Sequence, residues 1–130
     1  MLISTKGRYA LRVMLELASR RNGEFVPLNL IAKEQEISEK YLESIVAVLI
    51  KGGMLEGVRG KGGGYRLNRD PSEYSVGEIL SLTEGSLAPV SCLGTKTCTR
   101  SSSCKTLPLW KNRDTLISDY LNGVKLSDLI

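Results

Sequence analysis

Residues 58–67, VRGKGGGYRL, set four glycines (Gly60, Gly62, Gly63 and Gly64) among Arg59, Lys61 and Arg66. Such a stretch can cradle phosphates, act as a linker, or form the basic tip of a hairpin. A Walker loop requires a glycine, four residues, and then Gly-Lys-Ser/Thr opening a helix, and no such ending is present. A dinucleotide fingerprint requires its third glycine where Tyr65 stands, with a helix to follow. Here YRLNRDP follows, which reads as strand and turn. A linker is disfavoured because Val58, Tyr65 and Leu67 flank the glycines as strand residues would. The stretches MLEGV and YRLNR are therefore expected to be two short strands with the glycines between them.

Upstream, TKGRYALRVMLELASRR (5–21) places Ala10, Val13, Met14, Leu17 and Ala18 at helical spacing. A turn at Asn22-Gly23 and a short extended piece at Phe25 and Val26 come next. Pro27 then leads into LNLIAKEQE, a short second helix with Leu28, Leu30, Ile31 and Ala32 toward the core. The segment EIS interrupts it, and Ser38 is a good N-cap for a third helix. In that helix Leu42, Ile45, Val46, Leu49 and Ile50 form the expected inward stripe, with Lys40, Glu43, Ser44, Ala47 and Lys51 on another face. Gly52-Gly53 stops it. Downstream, Asp70-Pro71 marks a boundary and SVGEILSLTEG reads as a fourth helix with Val76, Ile79, Leu80 and Leu82 apolar. A polar loop covers 85–103, TLPLWKNRDTLISDYLNG resumes helical character, and VKLSDLI reads as a short terminal helix.

The expected fold class is mainly α with a small β-hairpin. Helix, helix, a three-residue break, helix and hairpin is the order of a winged helix-turn-helix. Charge follows the same division. Residues 1–70 hold 12 Lys+Arg against 8 Asp+Glu, and residues 71–130 hold 6 of each. The whole excess of +4 lies in the first half, which suits a polyanionic partner there. The chain has no histidine. That removes histidine-based acid–base catalysis, histidine triads and histidine metal ligands together, and no nucleophile–base pair is legible, so an enzyme is not expected. No apolar run is long enough for a membrane span and MLISTKGRYALR lacks a signal-peptide pattern, so a cytoplasmic protein is expected.

A helix fits the major groove of duplex DNA, where its outer face meets base edges. Lys40, Glu43 and Ser44 are the residues placed there, with Glu43 able to accept from a cytosine amino group. Arg59 is a minor-groove candidate and Lys61 a phosphate contact. The alternative for Lys40 and Glu43 is a solvated helix face with weak charge pairing. A second feature is CLGTKTCTRSSSC, in which Cys92, Cys98 and Cys104 are separated by five residues each. Small polar spacers let such a loop aim three thiolates inward. Iron–sulfur clusters and structural zinc usually take four ligands, so a fourth donor would have to come from elsewhere. Three unligated thiols or a redox disulfide pair are the other readings.

The chain resembles the IscR-like iron–sulfur regulators, the Rrf-type winged-helix family of bacterial transcription factors. The resemblance runs through LISTKGRYAL, ISEKYLE, VRGKGGGYRL, SVGEI and the cysteine loop followed by LPLW. It implies a winged-helix DNA-binding domain over 1–70 and a cysteine-loop sensor and dimerisation region over 71–130. It implies a homodimer paired through the long helix after Cys104, set on a pseudo-palindromic double-stranded DNA operator. Cys92, Cys98 and Cys104 would hold a 2Fe–2S or 4Fe–4S cluster. Ser38, Lys40, Tyr41 and Glu43 match the family's base contacts, and Arg59 its minor-groove wing residue. The family's namesake carries a histidine three residues after the third cysteine, where this chain has Leu107. Some relatives carry an Asp where this chain has Arg8. Glu16, Glu84 and Asp114 are the carboxylates left for a fourth ligand. The competing readings are a winged-helix regulator with a metal-free thiol switch and, from another class, a small cluster carrier. The carrier would leave the recognition helix and wing unexplained.

Overall fold

The computed structural model describes residues 2–20, 23–93 and 98–130. Arg21 and Asn22, assigned from sequence to the end of the first helix and its turn, lie outside the described residues. Three helices come first: α1 (Thr5–Ser19), α2 (Leu28–Gln35) and α3 (Glu39–Lys51). Strands β1 (Leu55–Val58) and β2 (Gly64–Leu67) then pair antiparallel, from Leu55 opposite Leu67 to Val58 opposite Gly64. Helix α4 (Val76–Glu84) and the longer α5 (Leu107–Gly123) follow. This is the expected mainly α fold with a small hairpin.

The helices start where side chains satisfy their orphan N–H groups. Ser4 accepts from the Gly7 N–H, Ser38 from the Tyr41 N–H, and Ser75 from the Glu78 N–H. Glu78 returns a bond to the Ser75 N–H, closing a capping box. Each cap contributes about 1 kcal/mol. Between α2 and α3 the break falls on Glu36, Ile37 and Ser38. Glu36 takes the left-handed conformation (φ 54°) and its N–H caps the end of α2. That single residue turns the chain sharply enough for Ile37 to enter the core.

Ala10, Val13, Met14 and Leu17 of α1 pack on Ile31 of α2 and on Leu42, Ile45, Val46 and Leu49 of α3. The same core takes in Met54 and Leu55 at the foot of the hairpin, Tyr74 and Ile79 at the start of α4, and Leu126 near the end of the chain. The apolar interior therefore continues across the Asp70-Pro71 turn.

Two local expectations are corrected and a third is narrowed. Ile50 is 40% exposed rather than part of the inward stripe. It is turned about 100° around the helix from Leu49, to the edge of the stripe that Leu42, Ile45, Val46 and Leu49 bury. The second strand begins at Gly64 and ends at Leu67, because the Asn68 and Arg69 backbones bond the Tyr74 hydroxyl instead of a neighbouring strand. The expected terminal helix is present but shorter, a 3-10 helix over Leu126–Leu129 anchored by one buried leucine.

Candidate functional site

The outer face of α3 carries Lys40, Glu43 and Ser44, all exposed. Among the described residues Lys40 and Glu43 enter no side-chain hydrogen bond or ion pair, so their charges are free for an incoming ligand. Ser44 is less free. Its hydroxyl donates to the Tyr41 carbonyl at 2.6 Å, which leaves its oxygen lone pairs outward as an acceptor. The Ser38 oxygen caps α3 through the Tyr41 N–H at 3.2 Å, although the residue itself is exposed. Tyr41 is half-buried and packs edge-to-face on Tyr9, ring centroids 5.9 Å apart. Of the expected contact residues it is the one most engaged inside the fold.

That contact belongs to a brace that sequence reading missed. Arg12 of α1 lies 4.9 Å over the Tyr9 ring and donates to the Gln35 side chain (3.0 Å) and to the Gln35 carbonyl. One guanidinium thus ties α1 to the end of α2, and Tyr9 ties α1 to α3. No periodicity in α1 signals this, because Tyr9 and Arg12 sit on its polar flank.

The wing tip is built by its glycines. The Gly63 N–H donates to the Gly60 carbonyl at 3.0 Å, closing the turn. A Cβ on Gly63 would overlap the Val58 carbonyl, and a Cβ on Gly64 would overlap the carbonyl of Val26. Gly64 lies there because the hairpin also pairs with the chain between α1 and α2. Val26 N–H donates to Tyr65 O (2.8 Å), and Tyr65 N–H donates to Val26 O (2.9 Å). Gly60 and Gly62 have positive φ and open space around them. Arg59 and Lys61 project from this turn, exposed and without partners among the described residues. The third basic residue of the stretch turns the other way. Arg66 is paired with Glu56, donates to the Gly23 carbonyl and stacks 4.2 Å over Phe25.

The cysteine loop leaves α4 at Glu84 and returns at α5. Cys92 and Cys104 are half-buried, Cys98 is exposed, and all three are free thiols. Lys96 and its neighbours at 94–97 lie outside the described residues. Among the described residues no three Cys, His, Asp or Glu side chains are close enough together to hold one metal ion. The Cys104 thiol is held below the usual thiol range, first by its hydrogen bond with the Thr106 hydroxyl (3.3 Å) and then by the Thr106 N–H. Burial opposes these two bonds with a lesser effect, and the Leu107 N–H and the charge of Arg100 add smaller pushes downward. A soft sulfur whose thiolate form is favoured, just before a helix, is a better ligand for iron and a better nucleophile than an ordinary thiol.

Two of the three carboxylates considered as a fourth ligand are engaged elsewhere. Glu16 pairs with Arg20 at 3.2 Å. Glu84 accepts from both the Ser4 N–H (3.0 Å) and the Ser4 hydroxyl (2.7 Å), which places it at the start of α1. Asp114 lines a cleft of about 280 Å³ shared by α4, α5 and the cysteine loop, with Ser81, Asn122 and Leu93, the residue after Cys92. Leu107 is half-buried, and Arg8 bonds Thr5.

Helix α5 has no buried residue, and Leu109, Leu116 and Tyr120 are 58%, 72% and 69% exposed. Spacings of seven and four put these three on one side of the helix. No helix among the described residues is long and apolar enough to cross a membrane.

Residues 3–130 match the family model Rrf2, described as an iron-dependent transcriptional regulator. The chain is 38% identical to the HTH-type transcriptional regulator IscR of Aliivibrio salmonicida, over all of this chain and 77% of that protein. It is also 38% identical to the IscR of Serratia proteamaculans, over all of this chain and 79% of the relative. Among solved structures, CymR, the global cysteine regulator of B. subtilis, superposes with a TM-score of 0.81 at 33% identity, covering 99% of this chain and 95% of that one. T. potens IscR superposes at 0.75 and 35% identity, covering 99% and 85%. These relatives are regulators rather than enzymes, and the chain belongs to the Rrf2 family of transcriptional regulators.

Proposed function

We propose that the protein binds operator DNA as a homodimer and that its three cysteines adjust that binding. The observation that carries the DNA half is the pair of charged sets without partners among the described residues, Lys40 and Glu43 on α3 and Arg59 and Lys61 at the wing tip. Charges held out of ion pairs on a capped helix and a glycine turn are free to meet base edges and phosphates. Ser38 and Ser44 supply hydroxyls on the same helix, and Tyr41 holds it against α1. Residues 1–70 carry these contacts, and residues 71–130 carry the sensor loop and the pairing helix. The exposed stripe Leu109, Leu116, Tyr120 on α5 is the surface through which two protomers pair, which sets two recognition helices and two wings on a pseudo-palindromic site. A cytoplasmic setting suits both the DNA and the reduced thiols.

Cys92, Cys98 and Cys104 hold an iron–sulfur cluster in this reading, whether 2Fe–2S or 4Fe–4S. Their chemistry fits: three free thiols on a polar loop, one of them already biased toward thiolate. The missing fourth donor comes from outside this set. Bound there, the cluster supplies a redox- and nitric-oxide-sensitive group whose gain or loss changes the loop. Purification without oxygen should give a coloured protein containing iron and acid-labile sulfide, with operator affinities that differ between loaded and apo forms at matched salt. A colourless anaerobic preparation lacking both elements would remove the cluster. The lowered thiol pKa of Cys104 favours one second reading, a metal-free thiol switch. Mild oxidant would then form a reversible disulfide, and the change in DNA affinity would follow the disulfide.

A further inference from the structure

The wing stands on two feet, and both rest on one side chain. Met54 precedes β1, Asn68 and Arg69 follow β2, and Tyr74 lies beneath them, fully buried. The Tyr74 hydroxyl proton is shared between the Met54 carbonyl (2.8 Å) and Asn68 Oδ1 (2.9 Å). Its oxygen accepts from the N–H groups of Asn68 (3.0 Å) and Arg69 (3.1 Å). The Asn68 amide continues to the Gly53 carbonyl at 2.9 Å, at the end of α3. Above the phenol, the Arg69 guanidinium stacks 4.3 Å over the ring and donates twice to Glu78 Oε1, at 3.2 Å each. Both strands of the hairpin therefore end on a single phenol.

The backbone of the same residue faces the other way. The Tyr74 carbonyl accepts from the Leu126 N–H (3.1 Å), and the Val76 N–H donates to the Val124 carbonyl (2.8 Å). Between them, Ser75 and Lys125 form an antiparallel bridge. Val124 is the first residue after α5. The wing, the start of α4 and the end of α5 thus meet in one hydrogen-bonded junction three residues long, with Leu126 plugged into the core beside it.

We infer that Tyr74 is a positioning residue for operator recognition: it fixes the wing to the end of α5, so that two protomers paired through α5 present their wings at one separation. This rests on the paired-wing reading above. A duplex lengthened by one base pair moves and rotates one half-site relative to the other by about a tenth of a turn. A rigid junction resists that change, and a loosened one follows it. The side chains that touch DNA are untouched by a change at Tyr74, so the number of phosphates neutralised is the same.

An operator selected from random duplexes by the wild-type dimer provides the test, together with versions carrying one base pair added or removed at its centre. Wild type is expected to lose about tenfold or more on either change, the size of a mismatched contact. Tyr74→Phe is expected to reduce that penalty by about threefold or more while the salt slope of binding stays the same. Hydrogen exchange should show faster wing amides, Val58 and Gly63 among them, against unchanged α1 and α3. Should Tyr74→Phe not fold, Asn68→Ala and Arg69→Met each cut one arm of the junction and take its place. An unchanged spacing penalty in folded variants overturns the inference and leaves the paired-wing reading intact. A wild type that binds one half-site as tightly as two overturns both.

Discussion

Gly64→Ala tests whether the wing is a packed part of the fold or a loop that merely hangs from it. The new Cβ would fall on the Val26 carbonyl and 2.8 Å from the Pro27 nitrogen, all backbone that has no side-chain freedom to yield. The residue also sits at φ 149°, where an alanine is strained. Staying in place costs about 1–3 kcal/mol of backbone strain before the overlap is counted. Escape requires parting the Val26–Tyr65 pair, two hydrogen bonds at 2.8 and 2.9 Å. That costs about 1 kcal/mol for each bond and about 1.5 kcal/mol more for uncovering the buried Val26 side chain. The escape route sets an upper bound of about 3.5 kcal/mol on the loss, or roughly 10 °C in Tm for a chain of this size. Gly62→Ala is the control. It meets open space at φ 78° and should cost only about 1 kcal/mol of backbone preference. Urea and thermal unfolding of the reduced apoprotein, followed by far-ultraviolet circular dichroism, would measure both. A Gly64→Ala protein within 1 kcal/mol of wild type, or one no less stable than Gly62→Ala, would refute the packing argument.

Lys61→Ala is expected to leave Tm unchanged and to lower the slope of log K against log salt by about one phosphate's worth, while Arg59→Ala weakens operator binding; unchanged affinity for both at matched salt would reject the wing as a contact. Cys104 should keep its alkylation rate to lower pH than a cysteine in a short unstructured peptide, because a lowered pKa keeps more thiolate as pH falls. Thr106→Val removes the leading cause, so the midpoint of the Cys104 rate–pH profile should move up toward that of an ordinary thiol; mass spectrometry of quenched time points reads it. Glu84→Ala should cost about 1 kcal/mol in urea unfolding, since it strips Ser4 of two hydrogen bonds and removes a carboxylate from the α1 N-terminus.

Elements set by local chemistry were legible in the sequence. Ser38 caps α3 as its residue type and position suggest, the stripe from Leu42 to Leu49 is buried, and Glu36-Ile37-Ser38 makes the break. Failures came where a distant partner overrides local pattern. Ile50 continues the apolar period but stands at the edge of the stripe and stays 40% exposed. Asn68 and Arg69 look like strand residues until a phenol five or six positions on takes their N–H groups. Tyr74 carries no periodic signal, since it stands between a 3-10 turn and a helix cap. At the wing, Gly63 and Gly64 are required by carbonyls of the chain itself, Val58 and Val26, one of them from a segment far away in sequence. For the cysteines, the sequence shows three donors and their spacing, and whatever completes the set lies outside any local pattern.

The continuity of the core across Asp70-Pro71 bears on how such regulators can be recombined. A DNA-reading half that owned its interior would be a portable module, ready to be spliced to another sensor. Here Tyr74, Ile79 and Leu126 fill the interior shared with α1 and α3. A chimera joined after Asp70 would inherit an open cavity and a wing with its feet unbound. A working graft must bring the α4 start and the 124–126 segment with it, so the two halves of this fold are exchanged as a whole or not at all.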